Sequence, residues 1–115
     1  MTEMEKLRDE MREFARVRDW DQFHSAKNLA MALAVEAAEL LEHFQWLTEE
    51  QSGKLDAQAQ AEVRDEIADV LLYLIRLADR LGIDPVAAAQ AKPVENARKY
   101  PVEKSRGNRK KYTEL

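Results

Sequence analysis

No cysteine occurs in the chain, which excludes disulfides and thiolate metal ligands. With only two histidines, a zinc site of the usual Cys/His type is also hard to build. Glycine and proline are scarce, three of each in 115 residues, as in a helical globular protein. There is no Gly-rich phosphate loop, nucleophile elbow, internal repeat or low-complexity segment. Any phosphate bound here must be held by metal and basic side chains. Long apolar runs are missing too: the longest, Leu29 to Val35, is far shorter than a membrane span. The opening MTEMEKLRDEM is too charged for a signal peptide. Net positive charge is absent, the formal balance being −4, which argues against a general nucleic-acid-binding surface. The expectation is a soluble, cytoplasmic protein with neither membrane nor nucleic acid as partner.

What is present is charge and apolar side chains, 35% and 45% of residues. The length suggests one domain over residues 1–115, ending in a basic tail over 102–115. A chain this small buries a modest core, and oligomerisation would help it. Apolar periodicity predicts an all-α fold of four main helices, over about 2–17, 25–47, 58–81 and 85–99. Thr2 with Glu5 and Ser25 suit the first two helix starts, and Asp84-Pro85 suits the fourth. Gly82 stops the third helix. Residues 48–61 are polar and read as a loop, and Pro93 is expected to kink or break the last helix. The third helix is apolar on more than one face, which predicts a second partner for it, another subunit.

Between the first two helices lies Arg18-Asp19-Trp20-Asp21-Gln22-Phe23-His24. It breaks the helical period but lacks the Gly/Ser/Asn composition of a passive turn. Its aromatics either plug a core or line a pocket. His24 is by default a capping or surface residue.

The chemistry is carried by Glu36-x-x-Glu39 and, after 26 intervening residues, Glu66-x-x-Asp69. Residues three apart are neighbours on a helix surface, so two adjacent helices could aim four carboxylates at one point. Such pairs are common on solvated faces, and spacing alone does not exclude that reading. Glu36, however, falls inside the edge of the apolar stripe of its helix, where an uncompensated charge is costly. Neither pair has the Glu-x-x-His pattern of helical di-iron sites. An oxygen-only set favours Mg2+, with Mn2+ possible.

The segments RDWDQFH (18–24), Asn28-Leu29, Glu36-x-x-Glu39-Leu40-x-Glu42-x-Phe44-Gln45-Trp46, Asp69-Val70-Leu71-x-Tyr73-Leu74 and KYTEL (111–115) together resemble the all-α nucleotide pyrophosphohydrolases, the MazG-like proteins, in their dCTP pyrophosphatase branch. The resemblance spans nearly the whole chain. It implies Mg2+-dependent hydrolysis of a deoxynucleoside triphosphate, dCTP or a modified dCTP, to the monophosphate and pyrophosphate, in a pool-sanitising role. It implies that Glu36, Glu39, Glu66 and Asp69 hold the metal, with Glu39 and Glu36 as the catalytic carboxylates. Trp20, Phe23, His24 and Trp46 then match positions shaping the base and sugar pocket, Tyr73 a substrate-contacting tyrosine, and Lys92 and Asn96 a phosphate-facing pair. It further implies a homo-oligomer, a dimer or a dimer of dimers. Within enzymes the alternative is dUTP or a broader dNTP range. From another class it is a non-catalytic helical interaction module.

Overall fold

A computed structural model describes residues 1–115. It contains no strand and four helices longer than two turns: α1 (Glu3–Val17), α2 (Ala26–Glu42), α4 (Ala57–Arg80) and α5 (Pro85–Lys99). Two short helices, α3 (Glu49–Ser52) and α6 (Val102–Ser105), and single 3₁₀ turns at Asp21–Phe23 and Tyr112–Glu114 complete it. The chain forms two compact units, 1–83 and 84–115.

In the first unit each helix begins where a short polar side chain accepts the backbone N–H three residues on. Thr2 accepts from Glu5, Ser25 from Asn28 and Asp56 from Ala59, at 3.1, 3.1 and 2.8 Å. These caps satisfy donors that the helix itself leaves free. α4 ends at Arg80, and Gly82, two residues on, takes a φ of +68°, the left-handed value a residue with a Cβ resists. The Ile83 N–H then returns to the Ala78 carbonyl at 2.8 Å. α4 is the central helix: α2 packs along it most extensively and α1 packs on it as well. The core is small. Ala15 of α1, Leu29 of α2 and Val63, Ile75 and Ala78 of α4 are its buried apolar residues, and the guanidinium-bearing Arg76 is buried among them. Across the same helices Met31, Val35, Leu41, Ile67, Leu71 and Leu74 are exposed.

Two local expectations are corrected. The second helix stops at Glu42, five residues short of Leu47, and the chain continues through turns in which the Phe44 and Gln45 N–H groups both reach the Leu41 carbonyl. The stretch from Thr48, expected as loop, opens with α3. There Thr48 and Gln51 form a reciprocal capping box at 3.1 and 2.9 Å, and this second start competes with continuation of α2.

In the second unit Asp84 caps α5, accepting from Val86 and Ala87 at 3.0 Å with Pro85 in the first turn. α5 runs through Pro93 without a break, although proline there lacks the donor for one backbone bond. Residues 102–115 turn back on the end of α5. Tyr112 meets Tyr100 edge-on at 6.1 Å between ring centroids, and the Lys99 ammonium sits 4.9 Å from the centre of the Tyr112 ring.

Candidate metal and nucleotide site

A residue on α2 and its third neighbour share a face, and that face lies along α4. This brings Glu36 and Glu39 to Glu66 of α4. One carboxylate oxygen from each lies within 4.8 Å of the other two, and all three side chains are half-buried. The Glu36 Oε2 and Glu66 Oε2 atoms are shielded from solvent and accept no hydrogen bond from the protein. Buried oxygens without donors are costly, and three like charges this close repel one another.

The titration behaviour follows. Glu36 is pushed up to about 7, first by the facing Glu66 carboxyl, then by burial and by Glu39. For Glu66 the pairing with Glu36 acts downward, but burial together with Glu39 and Asp69 outweighs it, and its carboxyl is raised as well. Two facing carboxyls can share a hydrogen bond only when one carries a proton, and the raised Glu36 value favours that protonated form as long as no cation is bound. A divalent cation is the other way to neutralise the cluster. Oxygen-only donors, two of them unsatisfied, suit a hard ion such as Mg2+ or Mn2+.

Asp69 is not part of this trio. It stands one turn beyond Glu66 on α4, is solvent-exposed, and reaches Glu66 through its charge. Tyr73, a further turn along α4, is half-buried.

The aromatic connector is a built structure. Asp19 takes a φ of +55°, a left-handed conformation that aspartate tolerates better than most residues. Its backbone and side-chain oxygens both accept from Gln22 Nε2 at 3.0 Å. The Trp20 N–H returns to the Ala15 carbonyl at 2.9 Å. Asn28 of α2 donates to the Phe23 carbonyl, and Arg80 of α4 to the His24 carbonyl, both at 3.0 Å. Trp20 packs edge-on against Phe14 and His24, with centroids at 5.6 and 6.3 Å. Phe23 is exposed.

Trp46 packs against none of these rings. It lies in the turns after α2 and is 86% exposed, the most open large apolar side chain in the molecule, since the end of α2 at Glu42 releases it from the helix. Lys92 and Asn96 are both exposed on α5 in the second unit, and Lys92 is paired with Glu95 at 3.2 Å.

Sequence reasoning missed the charged network under the connector. Arg76 is 3% exposed and donates to His24 Nδ1 at 3.1 Å and Asp21 Oδ1 at 2.7 Å. Arg12 of α1 forks onto Asp79, its Nε at 2.8 Å. The open cleft here, about 420 Å³, contains Arg12, Arg16, Arg76 and Arg80 against Asp9, Glu13, Asp21 and Asp79. Four charges of each sign balance, so it is an ion-pair network and offers no net attraction to an anion. It is distinct from the carboxylate trio.

The model of the MazG-like family matches residues 31–115. dCTP pyrophosphatase 1 of Bos taurus is 42% identical over 114 residues, spanning 97% of this chain and 68% of that protein. dCTP pyrophosphatase 1 of Homo sapiens is 41% identical over 114 residues, spanning 97% and 67%. A crystal structure of a pyrophosphatase from Archaeoglobus fulgidus superposes with a TM-score of 0.82 at 43% identity, covering 88% of this chain and 94% of that one. An all-α chain whose two longest helices bring glutamates together, matched in sequence along nearly its whole length, belongs to the MazG-like family of nucleoside triphosphate pyrophosphohydrolases.

Proposed function

We propose that the chain hydrolyses dCTP, or a dCTP with a modified base, to the monophosphate and pyrophosphate with Mg2+ as cofactor, clearing such nucleotides from the pool. The observation that carries the metal half is the trio Glu36, Glu39 and Glu66 with its two unpartnered buried oxygens. The substrate half is supported by the dCTP pyrophosphatases that align over 97% of the chain.

In this reading Glu36, Glu39 and Glu66, joined by Asp69, hold the ion. When bound, it neutralises charge on the phosphate oxygens and lowers the pKa of water beside it. The residues do the rest. Water attacks the α-phosphorus, Glu39 accepts its proton with Glu36 beside it, and the α–β bridging oxygen leaves with pyrophosphate. Such a reaction needs positioning and charge neutralisation more than a covalent nucleophile, which fits a chain without cysteine. Trp20, Phe23 and His24 on the connector, Trp46 after α2 and Tyr73 on α4 receive the base and sugar, and stacking on an aromatic face is worth about 1–3 kcal/mol per base. Lys92 and Asn96 are phosphate contacts on the family resemblance.

Trp46 needs a cover, and so do the exposed apolar residues of α2 and α4. A second copy of the chain provides both in this reading, so the working form is a dimer or a dimer of dimers.

The test is a nucleotide panel with product identification. Pyrophosphate released from dCTP, dependent on Mg2+ and faster than from dUTP or the other dNTPs, is the expected result. Orthophosphate as first product would move cleavage to the terminal phosphate. Equal rates across the panel would overturn the assignment to dCTP.

A further inference from the structure

Arginine has only donors, so a hydrogen bond between Arg76 Nε and His24 Nδ1 fixes the histidine. Nδ1 must offer its lone pair, and the ring proton must sit on Nε2. That Nε2–H donates to no group within the protein, on a ring only half-buried and edge-on to Trp20. The same guanidinium holds Asp21 at 2.7 Å through Nη2, so two of its arms grip the 3₁₀ turn. The third, Nη1, rests on Asp79 at 3.5 Å. Asp79 is itself clamped by Arg12 of α1. A buried guanidinium is not an efficient means of stabilising a fold, since a well-packed apolar side chain commonly does as well or better. What it supplies is orientation of its partners.

We infer that Arg76 is a positioning residue that locks His24 as a neutral Nε2–H donor for an acceptor atom on the bound nucleoside, and that holds the Trp20-bearing turn through Asp21. This rests on the reading that the connector receives the nucleoside. The surroundings favour the neutral ring. Burial lowers the His24 pKa, the charges of Arg76 and Arg80 lower it further, and Asp21 alone opposes them. An imidazolium could not accept from Arg76 at all.

The test uses the full-length 15N-labelled protein and long-range 1H–15N correlations of the imidazole rings. There are two histidines, and His43→Gln assigns them. The wild type is expected to show His24 in the Nε2–H form across the neutral range. The α,β-imido analogue of dCTP with Mg2+ is expected to shift its Nε2 resonance. Arg76→Lys keeps the charge but cannot reach His24 and Asp21 together. It should give an averaged tautomer and raise KM for dCTP about tenfold while kcat changes less than about threefold. Asp21 is half-exposed, so Asp21→Asn should fold, keep the tautomer and raise KM by a smaller factor. If Arg76→Lys does not fold, the wild-type tautomer and the Asp21→Asn KM decide. An averaged or Nδ1–H ring in the wild type overturns the role of Arg76 and leaves the nucleoside-pocket reading standing. A His24 resonance unmoved by saturating analogue overturns the pocket reading itself. A folded Arg76→Lys protein with unchanged KM, or with loss confined to kcat, overturns the positioning role.

Discussion

At the scale of the residue, Glu36 is the most informative position. In the unfolded chain it titrates as an ordinary glutamate, and in the folded, metal-free protein it holds its proton up to about 7. Because the folded value is the higher one, the proton's stabilising effect is complete at low pH and is lost as pH rises from the unfolded pKa through the folded one. The melting temperature of metal-free protein is therefore expected to fall between about pH 5 and about pH 8, and Glu36→Gln should flatten that fall. Added Mg2+ should raise the melting temperature most at the alkaline end, where ligands need not first lose a proton. A pH profile identical in wild type and Glu36→Gln would show that the proton lies elsewhere. Turnover makes the companion prediction. Glu39→Gln and Asp69→Asn should each lower it by about 100-fold or more without loss of helical circular dichroism, since removing one of several repelling charges need not weaken the fold. Full activity in both would make these carboxylates surface decoration.

At the scale of the element, the contact between α1 and α4 depends on Asp79, whose side chain is 8% exposed and accepts from both Arg12 and Arg76. Its carboxyl is held below the usual range, chiefly by the Arg12 hydrogen bond. Asp79→Asn should cost about 2–3 kcal/mol in urea unfolding, because it leaves the buried Arg76 undercompensated. A loss under about 0.5 kcal/mol would mean that the network is solvent-screened. These elements also show what could be read from sequence. The four long helices were legible, because apolar periods of three and four and polar caps at Thr2, Ser25 and Asp84 are local signals. The end of α2 was not: Phe44 and Leu47 keep the helical period after the helix has stopped, and the competing Thr48–Gln51 capping box lies in a stretch whose polarity masks it. The convergence of Glu36, Glu39 and Glu66 could be anticipated from i, i+3 spacing, whereas the separate position of Asp69 could not, because it depends on how far α2 is rotated against α4. Arg76 carries a sequence signal of the same kind. It is the one charge between Asp69 and Asp79, in as apolar a setting as the one that marked Glu36. Its partners on the connector lie more than fifty residues away, and nothing local announces them.

At the scale of the whole molecule, the first unit buries few large apolar side chains and leaves Val35, Leu41, Ile67 and Leu71 open. Sedimentation of the wild type should give a mass at least twice that of one chain. Leu71→Asp should lower it to the monomer and abolish activity together, whereas a monomeric wild type with full turnover would remove the second copy from the mechanism. α4 sets the arrangement of the first unit in another respect. Glu66, Tyr73, Arg76 and Arg80 all project from this single unbroken helix of 24 residues, with the acidic trio at one position and the pins of the aromatic turn further along. At 1.5 Å per residue, the ten steps from Glu66 to Arg76 fix these two anchor points about 15 Å apart along the axis. The helix thus acts as a ruler with an angular scale as well as a linear one. One residue inserted after Tyr73 would advance the far anchor by only about 1.5 Å but swing it by about 100°, taking the connector off its seat. Seven residues, close to two full turns, would restore the face and lengthen the ruler by about 10 Å. Relatives that differ in length within this stretch are therefore expected to differ by whole turns, and to accept substrates of different reach.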